Sequence, residues 1–320
     1  MEDEESGRQP PYRRLGCLDL LARPRQAMRA VLGSPVAVRF TGKGPPNVTR
    51  WTYDRGRHGD VVHVEFVSPA QMLRFASRWR EVADAVHTSG REDASFRCRG
   101  VRIDLGDGVG PECPPDVFAF ARRPGARAGL IPNPYMLRPR RLPPALPWER
   151  KSDTLYFRGT STGATDYEQN SRVALCRIAA TLPRTDCRIS RTRQVDAAFA
   201  ARLAQDGLLG GKQSPARLNR HRFLVDVDGN SSSWDRYLLI ARCAGVPVRF
   251  ETSWQECWHH LLVEGENCIQ TDRHALGAVL AGLRSAPDRA RSIAAAAARL
   301  AADGLARPAL RRLLREAIGG

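Results

Sequence analysis

The regular alternation of short apolar runs with amphipathic runs over residues 151–250 constrains the fold of this chain most. Polar turns join each strand-like run to the helix-like run that follows. The expected strands are Thr154–Phe157, Cys187–Thr192, Phe223–Val227 and Val246–Phe250, with helices over Tyr167–Leu182, from Asp196, and over Ser233–Ala244. Strands that alternate with helices are typical of parallel sheets covered by helices. We therefore expect an α/β domain over residues 151–272, followed by C-terminal helices over residues 273–320.

A similar pattern earlier in the chain predicts a second α/β domain over residues 15–121. Residues Asp60–Val67 alternate apolar and polar side chains, as a half-buried strand does. Ser68 and Pro69 suit the N-cap and first position of a helix that reaches about Val86. Further strands are expected at Val36–Phe40, Val101–Leu105 and Val117–Ala121.

Two proline-rich segments lie outside these domains. Residues 122–150 contain seven prolines and many arginines, which predicts an inter-domain linker. Residues 1–14 are polar, which predicts a disordered tail. The chain is thus expected to have two folded domains joined by a linker.

The turn after the strand Thr154–Phe157 carries groups suited to phosphate. Glycine and hydroxyl side chains in such a turn leave backbone N–H groups exposed, and an arginine can bind a phosphate through two hydrogen bonds. The residues are Arg158, Gly159, Thr160 and Ser161. The turn has neither the Lys-Ser/Thr ending of a Walker A loop nor GxGxxG spacing. It indicates either an anion site or a polar turn with an exposed arginine.

A second polar turn follows the strand Phe223–Val227. It contains Asp228, Gly229 and three serines, Ser231, Ser232 and Ser233, and Arg236 comes shortly after. Serines at a helix N-terminus can cap the helix and bind an anion. Asp226 and Asp228 could instead hold a metal, but a helix start favours an anion over a cation. We expect an anion site with no metal and no resident cofactor.

Segments over about residues 100–272 occur in an order that one enzyme family shows. They are Asp116–Arg122, Leu130–Asn133, Pro147–Lys151, Leu155–Gly159 and Phe223–Ser233. Together they resemble glycosyltransferase family 90, which includes the capsule-associated and Rumi-type protein O-glucosyl- and xylosyltransferases and bacterial lipopolysaccharide-modifying relatives. The chain departs from the family pattern at Arg236, which is shifted, and at Glu264–Ile269, which replaces a later motif.

The resemblance implies a GT-B architecture, an α/β fold with two Rossmann-like domains facing each other across a cleft. It implies a metal-independent, inverting transfer of a sugar, glucose or xylose first, from a UDP-sugar to a hydroxyl of a glycan, lipopolysaccharide or protein acceptor. Arg158 would bind the donor phosphates. The rest of the donor site would comprise Gly159, Thr160, Ser161, Asp228, Gly229, Ser231, Ser232, Ser233 and Arg236.

An inverting transfer needs a carboxylate that takes the proton of the attacking hydroxyl. The family base follows a strand upstream of the segment that Asp116–Arg122 resembles. Asp107 aligns best with this position, and Asp104 is the alternative. Either residue could equally be an aspartate in a turn beside a glycine.

The formal net charge of +16 favours anionic partners and permits peripheral association with an anionic membrane. Its basic residues are scattered and almost all arginine, so it does not indicate a specific nucleic-acid site. Two alternatives stay open: a non-catalytic basic protein that binds anions or nucleic acid, and a degenerate transferase that binds nucleotide without turnover. Without a signal-like apolar region or a long apolar run, the sequence predicts a cytoplasmic protein.

Overall fold

The computed structural model describes residues 36–56, 59–138 and 143–319, so the predicted tail over residues 1–14 lies outside it. Within the described residues the chain forms two β-sheets. The N-terminal sheet comprises β1 (Val36–Phe40), β2 (Val48–Gly56), β3 (Gly59–Phe66), β4 (Cys98–Asp104), β5 (Val117–Ala119) and β6 (Gly129–Leu130).

The N-terminal sheet has the strand order β1-β3-β2-β4-β5-β6 and is mixed. β1 is parallel to β3, and β4, β5 and β6 are parallel to one another. β2 is antiparallel to both β3 and β4. The sequence pattern did not predict β2, whose close connection to β3 makes the pair antiparallel, because parallel neighbours need a long crossover.

Helices cover one face of the N-terminal sheet. They are α1 (Pro69–Arg74), α2 (Ala76–Glu92) and α3 (Pro134–Leu137). The predicted N-cap is confirmed: the Ser68 hydroxyl accepts a hydrogen bond of 3.2 Å from the Gln71 N–H. The helix that follows is interrupted at Phe75 and continues as α2, which buries Trp79, Val82 and Val86. Burial of such side chains is worth roughly 1.5–3 kcal/mol each.

The C-terminal sheet is entirely parallel, with the order β11-β10-β9-β7-β8. Its strands are β7 (Ser152–Thr160), β8 (Thr185–Arg191), β9 (His221–Val227), β10 (Val246–Phe250) and β11 (Ile269–Thr271), and the helices between them are α4 (Ser171–Ala180), α5 (Ala197–Gln205) and α6 (Arg236–Arg242). Every residue of β10 is buried, as expected for a strand covered on both faces.

The C-terminal helices contribute to the cores of both sheets. They are α7 (Leu276–Ser285), α8 (Pro287–Ala302) and α9 (Arg307–Ile318). Leu280 and Ile293 belong to the core around the C-terminal sheet, whereas Leu310 and Leu314 of α9 belong to the core around the N-terminal sheet. Arg311 of α9 also pairs with Glu92 at the end of α2. The last helix therefore ties the end of the chain to the N-terminal half.

The predicted α/β fold with two Rossmann-like, parallel-rich sheets is confirmed. The segment over residues 122–150 is more ordered than the linker we expected, since it carries β6, α3 and a short 3₁₀ turn at Trp148–Arg150. The exact domain boundaries remain a prediction. Within the described part of the chain, no helix is long and apolar enough to cross a membrane.

Candidate functional site

A cleft of about 350 Å³ opens between the two halves, at the carboxyl ends of β7 and β9. When the strands of the C-terminal sheet are numbered in chain order, they lie side by side as 2-1-3-4-5. The chain therefore leaves β7 towards one edge of the sheet and leaves β9 towards the other edge. Ligands of open α/β sheets bind at this switch point. The lining residues are Arg78, Asp107, Tyr135, Thr160, Thr162, Arg172, Gly229, Asn230, Ser232, Ser233, Trp234, Asp235 and Arg236.

Arg172, near the start of α4, is the residue at this site that the sequence analysis missed. Its guanidinium donates to the Asp228 carbonyl at 2.9 Å, to the Thr160 carbonyl at 3.0 Å and to the Thr162 hydroxyl at 2.7 Å. The side chain is buried, and burial lowers its pKa to about 9, so it stays charged at neutral pH; the nearby Arg236 charge acts in the same direction. No carboxylate among the described residues forms an ion pair with Arg172.

Gly229 allows this arginine to approach the turn after β9. A Cβ atom at position 229 would lie 2.7 Å from Arg172 Nη2 and 3.0 Å from Thr162 Oγ1. Real Cβ contacts are almost never that short, so a larger residue would have to displace the guanidinium. Gly229 lines the cleft, and its lack of a side chain leaves room for Arg172; its part in donor binding stays a prediction.

The three serines of the turn after β9 behave differently from one another. Ser232 and Ser233 line the cleft, whereas Ser231 is fully buried and its hydroxyl has no hydrogen-bond partner among the described residues. Ser233 donates its hydroxyl to Asp226. The expectation that the serines cap the next helix is wrong: α6 begins at Arg236, and Asp235 is its N-cap residue.

The turn nevertheless presents unpaired backbone donors. Among backbone hydrogen bonds of the turn, Gly229 N–H donates to the Ser231 carbonyl and Arg236 N–H donates to the Ser233 carbonyl. No backbone carbonyl of the described residues accepts from the N–H groups of residues 230–234. Such N–H groups can bind an anion.

The two arginines that the sequence proposed for phosphate occupy different places. Arg236 lines the cleft, and the Arg158 carbonyl accepts a hydrogen bond of 3.1 Å from it. The Arg158 guanidinium does not line the cleft, because it binds Asp186 on β8 at 2.6 Å. Thr160 lines the cleft, but Gly159 and Ser161 are buried outside its lining, and Ser161 donates to the Arg193 carbonyl.

Asp226 and Asp228 have different partners. The buried Asp226 lies 3.4 Å from Arg249. Asp228 accepts from the Ser253 N–H at 2.9 Å, and burial raises its pKa to about 7. The described residues contain no group of three or more His, Cys, Asp or Glu that could hold a metal ion.

Asp107 lines the cleft from the N-terminal half, and its role as the base stays a prediction. One carboxylate oxygen accepts from Arg78 at 2.5 Å, and the other accepts from the Asn230 amide at 2.9 Å. The second contact joins the N-terminal half to the turn after β9. Asp104 instead accepts from the Gly106 N–H at 2.6 Å and lies outside the cleft lining, and burial raises its pKa.

Trp234 forms an aromatic wall beside Asp107. Its backbone has a φ of 63°, a left-handed conformation that is rare for a bulky residue and often occurs at functional sites. The Arg78 guanidinium lies 4.7 Å from its ring centroid, and the Tyr135 ring meets it edge-on at 5.0 Å. The indole therefore holds Arg78 in the position from which that arginine binds Asp107.

A buried carboxylate lies behind the serine turn. Glu256 accepts hydrogen bonds from Asn133 at 2.7 Å, from Trp258 at 3.0 Å and from Ser232. Burial raises its pKa to about 7 from an ordinary value of 4.5. The unfolded chain loses this proton at a lower pH than the folded chain does, so folding stability falls as pH rises from about 4.5 to about 7. Glu256 links Asn133 of the N-terminal half to the turn after β9.

No protein-family profile and no curated protein sequence matches the chain. Among solved structures it is similar to Anabaena HepE in complex with UDP and glucose, at 12% identity and a TM-score of 0.39 over 50% of this chain and 47% of HepE. It is similar to WaaG, a glycosyltransferase involved in lipopolysaccharide biosynthesis, at 12% identity and a TM-score of 0.34 over 56% of each chain. It is also similar to the pneumococcal O-GlcNAc transferase GtfA in complex with UDP and GlcNAc, at 10% identity and a TM-score of 0.39 over 60% of this chain and 38% of GtfA. The chain spans about half the length of HepE.

Proposed function

We propose that this protein is a GT-B glycosyltransferase that binds a UDP-sugar at the cleft between its two halves. The observation that carries the proposal is the buried guanidinium of Arg172, which has no carboxylate partner among the described residues and lies against the turns after β7 and β9. The charges of Asp228 and Asp226 favour its charged form, but neither carboxylate forms an ion pair with it, and a bound anion would offset the remaining cost of burial. The position between these two turns is where an α/β sheet binds a nucleotide phosphate.

The groups around Arg172 suit the diphosphate of a nucleotide sugar. Arg236 lines the same cleft and adds a second positive charge. The backbone N–H groups of residues 230–234 add neutral donors. Charge-assisted hydrogen bonds from arginine are the strongest contacts available to phosphate oxygens. In this proposal Arg172 takes the role that the sequence pattern gave to Arg158.

Asp107 is the proposed base that deprotonates the acceptor hydroxyl. It lies in the cleft, on the wall that faces the phosphate-binding turns. Its two oxygens accept from Arg78 and Asn230, and each oxygen has a second lone pair that can accept a proton. An inverting transfer would join the acceptor oxygen to the anomeric carbon, release UDP, and pass the hydroxyl proton to Asp107.

The choice of donor and acceptor rests on the resemblance to glycosyltransferase family 90. It implies uridine as the nucleoside, glucose or xylose as the sugar, and a glycan, lipopolysaccharide or protein hydroxyl as the acceptor. The proposed transfer needs no metal, because arginine side chains and backbone N–H groups neutralise the phosphates.

The proposal is tested by a thermal-shift screen over UDP, UDP-glucose, UDP-xylose, UDP-galactose and the GDP and CMP sugars. A ligand at 100 times its Kd raises the free energy of unfolding by about 2.7 kcal/mol. Arg172→Lys should weaken UDP binding, because lysine keeps the charge and loses the planar fork. Arg177→Lys is the matched control, since Arg177 lies on the same helix but is exposed. A chain that no nucleotide stabilises would contradict the proposal.

A second candidate is a degenerate transferase that binds nucleotide without turnover. It is favoured by one observation, the engagement of both Asp107 oxygens by Arg78 and Asn230. UDP binding without UDP-sugar hydrolysis or transfer would support this second candidate.

A further inference from the structure

A second polar pocket lies at the carboxyl edge of the N-terminal sheet, apart from the cleft. Its volume is about 280 Å³, at the small end of ligand pockets, so it could hold one headgroup rather than a whole acceptor. Its charged lining residues are Lys43, Arg50, Arg102 and Glu65. The remaining lining consists of Thr41, Gly44, Pro45, Val48, Thr49 and Val67.

The strand register places like charges opposite each other in this pocket. In the strand register Arg50 of β2 lies between Arg102 of β4 and Glu65 of β3, so it has a like charge on one side and an opposite charge on the other. Arg102 is paired with Asp116 at 2.6 Å, and Glu65 lies 3.8 Å from Arg39. The Arg50 side chain has no hydrogen bond or ion pair with any described residue. The lining contains the three basic residues Lys43, Arg50 and Arg102 and the single carboxylate Glu65, so the pocket has an excess of positive charge.

The loop that closes the pocket adds backbone donors. It follows β1 and contains Gly42 and Gly44, with φ values of 73° and 142°, on either side of Lys43. Gly42 N–H donates to the Val67 carbonyl, whereas no backbone carbonyl of the described residues accepts from the N–H groups of Lys43 and Gly44. Backbone N–H groups that have no acceptor in such a turn can bind an anion. Loop and strands thus provide two independent indications of an anion site.

The pocket is connected to the proposed base through one loop. The Asn47 carbonyl accepts from the Leu105 N–H at 2.9 Å, two residues before Asp107. Arg102 and Asp107 are five residues apart on the same segment, so their backbones are at most roughly 18 Å apart. A single acceptor molecule of a few sugar units spans that distance.

We propose that this pocket binds an oxyanion, a phosphate or carboxylate, carried by the acceptor near the hydroxyl that receives the sugar. Arg50, Lys43 and the N–H groups of Lys43 and Gly44 bind the oxyanion. Binding of the oxyanion follows from this pocket alone, whereas its assignment to an acceptor rests on the proposed transferase function.

The test measures binding of glucose 6-phosphate, glucuronate, glucose and inorganic phosphate to the full chain by calorimetry at fixed ionic strength. UDP is present at saturation, so that the donor cleft is occupied. We expect both acidic sugars to bind and glucose not to bind. Arg50→Gln should raise the Kd for the acidic sugars about tenfold or more, because a charge-assisted hydrogen bond is lost. Arg99→Gln, which removes an exposed arginine from β4 outside the pocket, should not change the Kd for the acidic sugars.

Each failure has a distinct signature. If UDP binds but the acidic sugars do not, or if Arg50→Gln and Arg99→Gln behave alike, the pocket proposal is overturned and the donor proposal stands. If UDP does not bind and Arg50→Gln still weakens glucose 6-phosphate, the donor proposal fails and the oxyanion site stands without its acceptor. If inorganic phosphate binds as tightly as glucose 6-phosphate, the pocket serves free phosphate and the acceptor assignment is overturned.

Discussion

Gly229→Ala tests whether the buried guanidinium of Arg172 organises the donor site. The added Cβ would lie 2.7 Å from Arg172 Nη2 and 3.0 Å from Thr162 Oγ1, so one of them has to move. The guanidinium is held on its other sides by the Asp228 carbonyl at 2.9 Å and the Thr160 carbonyl at 3.0 Å. It can move only by giving up at least one of these hydrogen bonds.

The expected size of the effect follows from these contacts. A hydrogen bond to a charged group contributes about 1.5–3 kcal/mol, so the free energy of unfolding should fall by about that amount. The melting temperature of a chain of this size should then fall by on the order of 5 °C. If the same contacts hold the phosphate-binding turns, the Kd for UDP should rise by roughly 10- to 100-fold.

The assay combines thermal unfolding with calorimetric titration of UDP, well below the melting temperature of the variant. Gly211→Ala is the matched control, because a Cβ atom at position 211 has no atom within 4 Å. If Gly229→Ala melts and binds UDP like the control, the described packing of Arg172 is refuted. If Gly229→Ala has a lower melting temperature than the control but binds UDP with the same Kd, Arg172 stabilises the fold only, and the proposed donor site loses its main support.

Four further predictions concern the same cleft. Arg158→Ala should weaken UDP binding less than Arg172→Lys does in the same titration, because the Arg158 guanidinium already binds Asp186. Asp107→Asn should lower the rate of UDP release with acceptor present by roughly 10²–10⁴ while UDP affinity stays nearly unchanged, and Asp104→Asn should be mild. Transfer activity should survive EDTA, and a complete loss that manganese or magnesium restores would contradict the metal-free site. Glu256→Gln should raise the free energy of unfolding at pH 8 by on the order of 1–3 kcal/mol and have little effect at pH 5, because it removes a carboxyl whose pKa burial raises to about 7.

The sequence pattern was most informative where local periodicity decides structure. Strand–turn–helix alternation predicted the β7, β8, β9 and β10 regions of the C-terminal sheet. The signal is strongest for β9 and β10, in which almost every residue is buried. It missed β2, which is one of the described strands with mixed polarity: Arg50, Thr52 and Asp54 alternate with buried Trp51 and Tyr53. The missing strand changes the N-terminal sheet from parallel to mixed.

The sequence predicted those parts of the candidate site that lie within one short segment of the chain. Both polar turns were identified, because a strand that ends in glycine and hydroxyl residues is visible in one segment. The sequence could not show that Arg158 is occupied by an ion pair, because its partner Asp186 comes next to it only when β7 pairs with β8. An arginine in the first turn of α4 looks like an ordinary solvated residue until the fold places it between two turns.

The arrangement of charges in the cleft argues for a ligand that carries two negative groups. Arg172 and Arg236 are close enough for the Arg236 charge to lower the pKa of Arg172, and that repulsion adds to the cost of burial. The charges of Asp228 and Asp226 oppose that repulsion, but the groups that contact Arg172 directly are carbonyl oxygens and a hydroxyl, which do not neutralise it. A monovalent anion would offset one of the two charges, whereas a diphosphate would contact both while accepting from the N–H groups of the serine turn. We therefore expect UDP to stabilise the chain more than UMP does at equal saturation of the cleft, and equal stabilisation by the two would show that only one of the arginines meets the ligand.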